Sequence, residues 1–525
     1  MAARVDWRQA ILVESKVANI MATQERHGVW FDTQRAKWYI HTLTERILAI
    51  DRVAVPMMPK MLDVGTPINK PFKKSGQPSV ILEKWLESNP GVSVGGPFTR
   101  VEFNDFDLGK VGLFKDWMLN NGWIPDSWNT KNLTLHPATK KRFTPEEQAR
   151  VLNGYIKDLL ETPSGKLRIG LLGIKRGSSI GDVKLLLLKR KIVPTTPKIT
   201  ESSLDTIKTD LGSMVMERMV LSHRRSLLEG LVEIVRPDHR LSARANPCAT
   251  PTARMRHSGV VNIPAARSIF GKQIRGLFQG TPIEDLPRFT YKFKTKRRTY
   301  KRSIKGRMVF VGYDGAGLEL RMLAHYINDP DFTKEVVDGD IHTKNQMAAG
   351  LPTRDDAKTF IYAFIYGAGD GKLGLIIGGT SKDGAAIRDQ FLRANPKLAK
   401  LIETVRAQAE RGFLIGLDGR KLWMRRNEFN DVMVHKALNT LLQAAGAIVM
   451  KYAMVWLDEE VKALGLRAWK VVDMHDEGQW ECHPEDVDKL CELMNNCVKK
   501  AGEYLGLNCP LASDSIVGAN WYETH

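Results

Sequence analysis

Apolar residues recur at helical spacing over several long stretches of the chain. The pattern holds from Asp6 to about Ile50, where an HGVWFD turn around Gly28 divides it into two predicted helices. It returns between about residues 145 and 235. Further helices are predicted at 354–366, at about 385–412, at 432–465 and near 484–503. The chain is therefore expected to be mostly helical.

Two short apolar runs instead predict buried strands. MVFVGYD ends in Asp314, and AWKVVDMHDE carries Asp476. Segment 288–307, RFTYKFKTKRRTYKRSIKGR, alternates aromatic or small residues with basic ones, which predicts a β-hairpin with one strongly cationic face. Residues 51–100 are rich in Pro, Gly and Lys, which predicts an irregular insertion or a small subdomain.

Composition limits the class of protein. The chain has 525 residues, 43% of them hydrophobic, and should divide into several domains or subdomains. Its 78 Lys and Arg against 59 Asp and Glu give a net charge of +19, which indicates a polyanionic partner and is shared by nucleic-acid, ribosome-associated and membrane-surface proteins. Five cysteines without a CxxC pair, and no apolar run of signal-peptide or membrane-spanning length, predict a soluble cytoplasmic protein with no membrane partner.

Two predicted strands each deliver a carboxylate, Asp314 and Asp476, from distant parts of the sequence. Two carboxylates held side by side are unstable without a divalent cation between them, and Mg²⁺ prefers oxygen ligands with substrate phosphates completing its shell. Phosphoryl transfer is the chemistry that such a pair serves. An aspartate at the end of a strand can equally be a turn residue or a helix cap, and spacing alone leaves both interpretations open.

The predicted helix 354–366 carries Arg354, Lys358, Tyr362 and Tyr366 at steps of four, on one face. Cations near its N-terminal end would bind a triphosphate with the help of the helix dipole, and the two tyrosines could meet a base and its sugar. The alternative is an amphipathic helix whose Arg and Lys are simply solvated.

Taken in order, these segments resemble the three polymerase motifs of family A DNA polymerases. YDGAGLELR resembles motif A, RDDAKTFIYAFIYG motif B and MHDE motif C. The similarity extends to DGDIHTKNQMAAGLPTRD, HKALNTLLQAAGA and the final GANWYETH, and it is strongest to the replicative polymerases of small tailed bacteriophages. The resemblance implies a template-directed DNA polymerase that extends a primer 3′-OH with dNTPs by two-metal phosphoryl transfer, releasing pyrophosphate, in phage DNA replication in the host cytoplasm.

The resemblance also implies an α+β, right-hand polymerase fold with an antiparallel-sheet palm and mostly helical fingers and thumb. The expected boundaries are a thumb region at 1–240 with the insertion at about 51–100, palm at 241–326 and 437–525, and fingers at 327–436. The chain begins where the polymerase portion of its relatives begins, so we expect the N-terminal proofreading exonuclease to be absent from it. A separate exonuclease subunit or a processivity factor is left open as a partner, beside primer-template DNA and dNTPs.

Residue roles follow from the resemblance alone. Asp314 and Asp476, with the backbone carbonyl of Gly315, would hold two Mg²⁺ ions, for which Mn²⁺ can substitute, and Glu477 is the acidic neighbour. The remaining roles cover the nucleotide and the DNA. His342, Arg354 and Lys358 would bind the triphosphate, and Lys358 would also act as a general acid. Tyr362 would pack on the sugar, Tyr366 would lie beside the template base, and Glu319 would lie where a 2′-OH would be. Arg254, Gln443 and His475 would contact DNA.

Three other activities are weighed against this one. A single-subunit RNA polymerase shares the metal carboxylates and the cationic helix, but Glu319 and Tyr362 argue against it. A reverse transcriptase normally pairs two adjacent aspartates, whereas Asp476 is followed by Glu477. A catalytically silent DNA-binding replication factor would have no need of both carboxylates and the whole face of motif B.

Overall fold

The computed structural model describes residues 7–125, 127–137, 139, 141–175, 177–199, 209–295, 298–427, 430–474 and 476–525. The chain forms two compact units. The first contains the chain up to Trp38 together with Leu227–His525, and the second is Tyr39–Ser226.

Helices dominate the described residues, as the sequence predicts. They are α1 Trp7–His27, α2 Thr33–Met57, α3 Val80–Ser88, α4 Val111–Asn120, α5 Pro145–Glu161, α6 Gly165–Leu172, α7 Ile180–Arg190, α8 Asp210–Glu233, α9 Gly271–Arg275, α10 Leu318–Ile327, α11 Pro330–Val337, α12 Ile341–Ala349, α13 Arg354–Ile365, α14 Asp370–Leu375, α15 Ser381–Ala394, α16 Pro396–Ala409, α17 Ala437–Ala463 and α18 Val487–Tyr504.

The strands are short and pair antiparallel. They are β1 Val29–Phe31, β2 Met61–Val64, β3 Val101–Asn104, β4 Trp128–Asn132, β5 Ile192–Pro197, β6 Arg240–Leu241, β7 Arg244–Asn246, β8 Arg256–Ser258, β9 Phe278–Gln279, β10 Phe289–Lys294, β11 Thr299–Ile304, β12 Val309–Gly315, β13 Phe413–Ile415, β14 Lys421–Trp423, β15 Ala468–Met474, β16 Glu477–Cys482 and β17 Ser513–Gly518.

The central sheet of the first unit has the strand order β15-β16-β12-β17. β12 lies in its interior, and its Val309, Phe310 and Val311 side chains are fully buried, which explains the apolar run in the sequence. Helix α18 packs on β12 and β17, and α17 packs on α18. This arrangement places the C-terminal ends of β12 and β15 at the same edge of the sheet, with β16 between them, and the predicted carboxylates lie at that edge.

Helix α17 is almost entirely core. One described segment, Val434–Ala463, is long and apolar enough to cross a membrane, but 89% of its most apolar window is buried inside the structure. The segment therefore has the burial expected of the core helix of a globular domain.

The second unit has its own core. Apolar side chains of α5, α6, α7 and β5 pack together, with Leu159, Leu172 and Leu187 among those almost fully buried. The buried Arg168 donates to the Asp158 carboxylate at 2.6 Å and so satisfies its charge inside the unit. This unit includes the Pro-rich and Gly-rich segment 51–100, which contains α3 and the strand β2 paired with β3.

Two of the predicted elements are each divided in two in the structure. The helix expected at about 385–412 is two helices, because Pro396 disfavours helical backbone at Asn395 and starts a new helix. The strand expected at AWKVVDMHDE is followed by a tight turn and a second strand, β16, so Asp476 lies in a turn. The hairpin predicted at 288–307 is confirmed as β10 paired with β11.

Candidate active site

Acidic side chains form a row across one end of the central sheet. Asp314, next to last in β12, lies directly opposite Glu477 of β16 on one side and Asp514 of β17 on the other. Directly opposite residues of an antiparallel pair project from the same face of the sheet. Asp476 immediately precedes Glu477 in the turn. The fold therefore brings Asp314, Asp476 and Glu477 together, as the sequence predicts, and adds Asp514.

The two predicted metal ligands resist ionisation in the protein alone. Desolvation raises the pKa of Asp314 to about 7, and the negative charges of Asp476 and Glu477 act in the same direction. Desolvation and the charge of Glu319 likewise raise the pKa of Asp476. Neither aspartate forms an ion pair with a described Lys, Arg or His. An external cation is the counter-charge that would let both ionise together.

Glu477 differs from the two aspartates, because hydrogen-bond donors of the chain surround its carboxylate. Its carboxylate accepts hydrogen bonds from Trp521 Nε1 at 2.6 Å and Gln479 Nε2 at 2.6 Å, and it lies 2.8 Å from His525 Nδ1. Burial opposes ionisation of Glu477, but the bonds to His525, Trp521 and Gln479 hold its pKa below the ordinary value. Glu477 is thus fixed in position and charge by the C-terminal segment.

A second group of polar side chains lies beside Asp476. Glu319 Oε1 accepts a hydrogen bond from the Tyr366 hydroxyl at 2.9 Å and from Arg254 Nη2 at 3.2 Å. Arg254, Glu319 and Asp476 line one small cleft. Burial and the nearby Glu319 raise the pKa of Tyr366 to about 12. Its hydroxyl therefore stays protonated at neutral pH and acts as a hydrogen-bond donor. The cleft brings residues of motifs A and C beside Arg254, and the hydrogen bond from Tyr366 to Glu319 connects motif B to it.

The cationic face of α13 begins at an ion pair that the sequence analysis missed. Arg354 donates to both oxygens of Asp340, at 2.7 and 3.0 Å. Asp340 also caps α12, where it accepts from the backbone of His342 and Thr343. Asp340 therefore holds the Arg354 guanidinium at the N-terminus of α12. The Asp in DGDIH directly precedes helix α12, and an Asp at that position is a capping signal that could have revealed this contact.

The predicted triphosphate ligands differ in their surroundings. His342 has its pKa lowered by burial and by the charges of Arg354 and Lys358, so it is neutral at neutral pH. Its Nδ1 is buried and has no hydrogen-bond partner among the described residues. Lys358 is exposed, one helical turn beyond Arg354. Three nitrogen-bearing side chains thus converge around the start of α13.

The two tyrosines follow on the same face of α13. The Tyr362 ring stacks at 6.5 Å on Tyr366 and lies 6.2 Å from the His342 ring. Burial raises the pKa of Tyr362, and the charges of Glu319, Asp476 and Asp314 raise it further, so this side chain lies within electrostatic reach of the carboxylates. Gln443 is partly buried on α17. His475 lies outside the described residues.

The donor set suits a hard divalent cation. Asp314 and Asp476 offer carboxylate oxygens, and the Gly315 carbonyl follows at the end of β12. No group of three or more His, Cys, Asp or Glu in the described parts of the chain forms a metal site by itself. Oxygen-only ligation completed by phosphates and water is what Mg²⁺ prefers. The carboxylate oxygens of Asp314 and Asp476 and the Gly315 carbonyl oxygen therefore suit Mg²⁺ or Mn²⁺ as ligands.

Comparison with known proteins identifies the family. The family model for DNA polymerase family A matches residues 180–523. The chain belongs to DNA polymerase family A. A DNA-directed DNA polymerase of Escherichia phage Phieco32 is 38% identical over 98% of both chains. That of Escherichia phage T7 is 28% identical, over 98% of this family A polymerase and 70% of the phage protein.

A solved structure shows the same fold. The POL domain of Pol1 from M. smegmatis, in complex with DNA primer-template and dNTP, matches this family A polymerase with a TM-score of 0.61 at 15% identity. The match covers 97% of this chain and 70% of that chain. The predicted α+β right-hand fold is thereby confirmed, with the central sheet as its palm. The relatives that match over 98% of this chain also confirm a nucleotidyltransferase and favour DNA polymerase over the other activities considered.

Proposed function

We propose that this family A polymerase extends the 3′-OH of a DNA primer with dNTPs on a template and releases pyrophosphate, in phage DNA replication in the host cytoplasm. The observation that carries the proposal is the pair Asp314 and Asp476, two carboxylates beside the Glu319 cleft whose pKa values are raised and which form no ion pair with a described side chain. They would hold two Mg²⁺ ions together with the Gly315 carbonyl. When bound there, the metal lowers the pKa of the attacking hydroxyl and neutralises charge on the phosphates.

The α13 face is proposed to bind the triphosphate. Lys358 is exposed and forms no ion pair with the described residues, so its charge is available to a phosphate and its proton to the leaving pyrophosphate. Arg354 is held by Asp340 and would exchange that carboxylate for the triphosphate as the nucleotide arrives. Neutral His342 can donate a hydrogen bond to a phosphate oxygen without adding charge.

The Glu319 cleft is proposed to select the sugar. Tyr366 and Arg254 hold the Glu319 carboxylate in place, where it would occupy the space of a ribose 2′-OH. Tyr362, adjacent on α13, would pack on the deoxyribose. The Tyr366 hydroxyl donates a hydrogen bond to Glu319, and this hydrogen bond would break if Tyr366 moved beside the template base.

Arg254, Gln443 and His475 are proposed to contact the primer-template. Minor-groove acceptors occur at similar positions in A·T and G·C pairs, so donors such as Arg and Gln can test pairing without reading sequence. The solved relative is a complex with primer-template and dNTP, which supports the same partners for this chain.

The test is primer extension by the purified protein with Mg²⁺, run with dNTPs and separately with rNTPs. We expect template-dependent extension with dNTPs and little with rNTPs. Asp314→Asn serves as the matched control, since it keeps the side-chain shape and removes the metal-binding charge. Extension with rNTPs alone would instead indicate an RNA polymerase, and no extension with either would indicate a silent binding factor.

A further inference from the structure

The hairpin β10–β11 has two chemically distinct faces. Its register pairs Tyr291 with Arg302 and Phe293 with Tyr300, and these residues share one face with Phe289 and Ile304. Alternate positions project from the opposite face. We name that opposite side the outer face, which consists of Thr290, Lys292, Lys294, Thr299, Lys301 and Ser303, all exposed.

The inner face anchors the hairpin to the C-terminal segment. Tyr291 and Arg302 both bond the carboxylate of Glu523, whose side chain is only 3% exposed. The Arg302 guanidinium lies 4.6 Å from the centre of the Phe293 ring, which in turn meets the edge of Tyr522. The hairpin is therefore a fixed element, and Arg302, which the sequence pattern counts among its cations, has a structural partner.

The outer face carries positive charge that no described carboxylate balances. It contains only Lys, Ser and Thr, with no carboxylate and no aromatic ring. Lys292 lies directly opposite Lys301, an arrangement that like charges disfavour. None of its three lysines forms an ion pair or hydrogen bond within the described parts of the chain. A fixed hairpin that keeps such a face exposed is suited to an external anion.

We propose that the outer face binds the phosphate backbone of the duplex portion of the primer-template, without reading sequence. Lys, Ser and Thr side chains are typical donors to phosphate oxygens. A two-stranded β-ribbon has the width that the major groove of a duplex admits. Single-strand binding instead relies on stacking with aromatic side chains, which this hairpin directs to its inner face. The inference rests on the proposed function, since it concerns the DNA on which the polymerase acts.

The test measures the salt dependence of binding to a primed duplex. The triple variant Lys292→Ala, Lys294→Ala and Lys301→Ala should flatten the slope of log affinity against log salt by about 0.9 for each phosphate that is no longer neutralised, or roughly two to three in total. The matched control removes the same charge from exposed lysines of α17 and α18, through Lys462→Ala, Lys489→Ala and Lys499→Ala. The control should keep the slope of the parent, and Arg at the three hairpin positions should restore it.

Thermal unfolding checks that the hairpin variant is folded, and its Tm should equal that of the parent. An unchanged slope, or an equal change in the control, would overturn the inference. A loss confined to an unpaired oligonucleotide would also overturn it and would assign the face to single strands. If the parent itself extends no primer, the proposed function fails. If the parent extends normally while the slope is unchanged, only the role of the hairpin fails.

Discussion

Two aspartates three residues apart, Asp473 and Asp476, have opposite electrostatic environments. Asp473 is buried in β15, 2.9 Å from Lys470 Nζ and 3.4 Å from His257 Nε2. Burial opposes its ionisation, but Lys470 and His257 hold its pKa below the ordinary value. Asp476, in the next turn, forms no ion pair with any side chain that the structure describes, and its pKa is raised by burial and by the charge of Glu319. The protein thus balances one charge internally and leaves the other for a ligand.

Asp473 and Lys470 pack inside the sheet whose strands position Asp314 and Asp476. The Tyr313 ring, next to Asp314 in β12, lies 5.6 Å from Lys470 Nζ. Gly478 of β16 leaves room for both, because a Cβ there would lie 2.3 Å from the Tyr313 ring and 2.9 Å from Lys470 Nζ. Charge inside the sheet is therefore structural, whereas charge at its end is available for chemistry.

The largest effect is expected from replacing either Asp314 or Asp476. Asp314→Ala or Asp476→Ala should reduce primer extension to below a few per cent, because each removes a proposed metal ligand. Primer-template affinity should stay near that of the parent, since it comes mainly from dispersed phosphate contacts. Extension by gel and binding by fluorescence anisotropy measure the two. Substantial extension in either variant would contradict the two-metal assignment.

The balanced pair should respond in stability rather than in chemistry. Asp473→Leu leaves Lys470 buried without its partner and should cost roughly 3–5 kcal/mol of unfolding free energy. Adding Lys470→Met should recover much of that loss, because an apolar pair replaces two buried charges. Urea unfolding of the three proteins measures this. A single variant as stable as the parent would show that Asp473 and Lys470 do not depend on each other.

Local pattern predicts the part of the site that lies on single elements. Asp314 ends an apolar run, and Arg354, Lys358 and Tyr362 follow helical spacing. Both patterns can be recognised from the sequence alone. Helix α3 is not predicted although Ser79 caps it, because the Pro-rich and Gly-rich flanks dominate that stretch.

The rest of the site depends on pairing between distant segments. Asp514 joins the acidic row only through the β12–β17 register, and Glu477 gains Trp521 and His525 only because the C-terminal segment returns to the sheet. Gly312 permits that return, since a Cβ there would lie 2.5 Å from the Thr524 carbonyl oxygen. No spacing rule encodes such contacts. The domain boundaries and the roles assigned to the site residues, including His475, stay predictions.

Glu319→Ala tests the sugar gate at the edge of the unbalanced site. Removing the carboxylate opens the space proposed for a 2′-OH, so the ratio of kcat/KM for rNTP to that for dNTP should rise by tens-fold, or about 2 kcal/mol. Tyr366→Phe is the matched control, because it removes the hydroxyl bonded to Glu319 and leaves the carboxylate. An unchanged ratio in Glu319→Ala would show that Glu319 is not the gate.

Tyr362→Phe tests the register of α13 with a single oxygen. A dideoxynucleotide lacks the 3′-OH that bonds its own phosphates, and the Tyr362 hydroxyl is proposed to replace it. An unmet buried hydrogen bond costs about 1–3 kcal/mol, so the variant should discriminate against dideoxynucleotides by at least about tenfold. The measurement is kcat/KM for a dideoxynucleotide and its deoxy counterpart. Equal ratios in both proteins would withdraw the placement of Tyr362 against the sugar.

A further prediction concerns the metal-free protein and its pH dependence. Because the pKa of folded Asp314 is raised to about 7, the folded state binds a proton that the unfolded state releases near pH 4. The folded state then holds more protons between these values, so the contribution of Asp314 to stability falls as pH rises from about 4 to about 7. Asp314→Asn removes this loss.

The metal-free Asp314→Asn protein should therefore melt at a higher temperature than the parent at pH 8 and at the same temperature near pH 4. Added Mg²⁺ at pH 8 should raise the Tm of the parent more than that of the variant, since binding to the folded state stabilises it. Asp389→Asn, at an exposed position of α15, is the control and should follow the parent. A variant with the pH profile of the parent would show that ionised Asp314 does not oppose folding, and the charge of Asp314 could then no longer be called unbalanced.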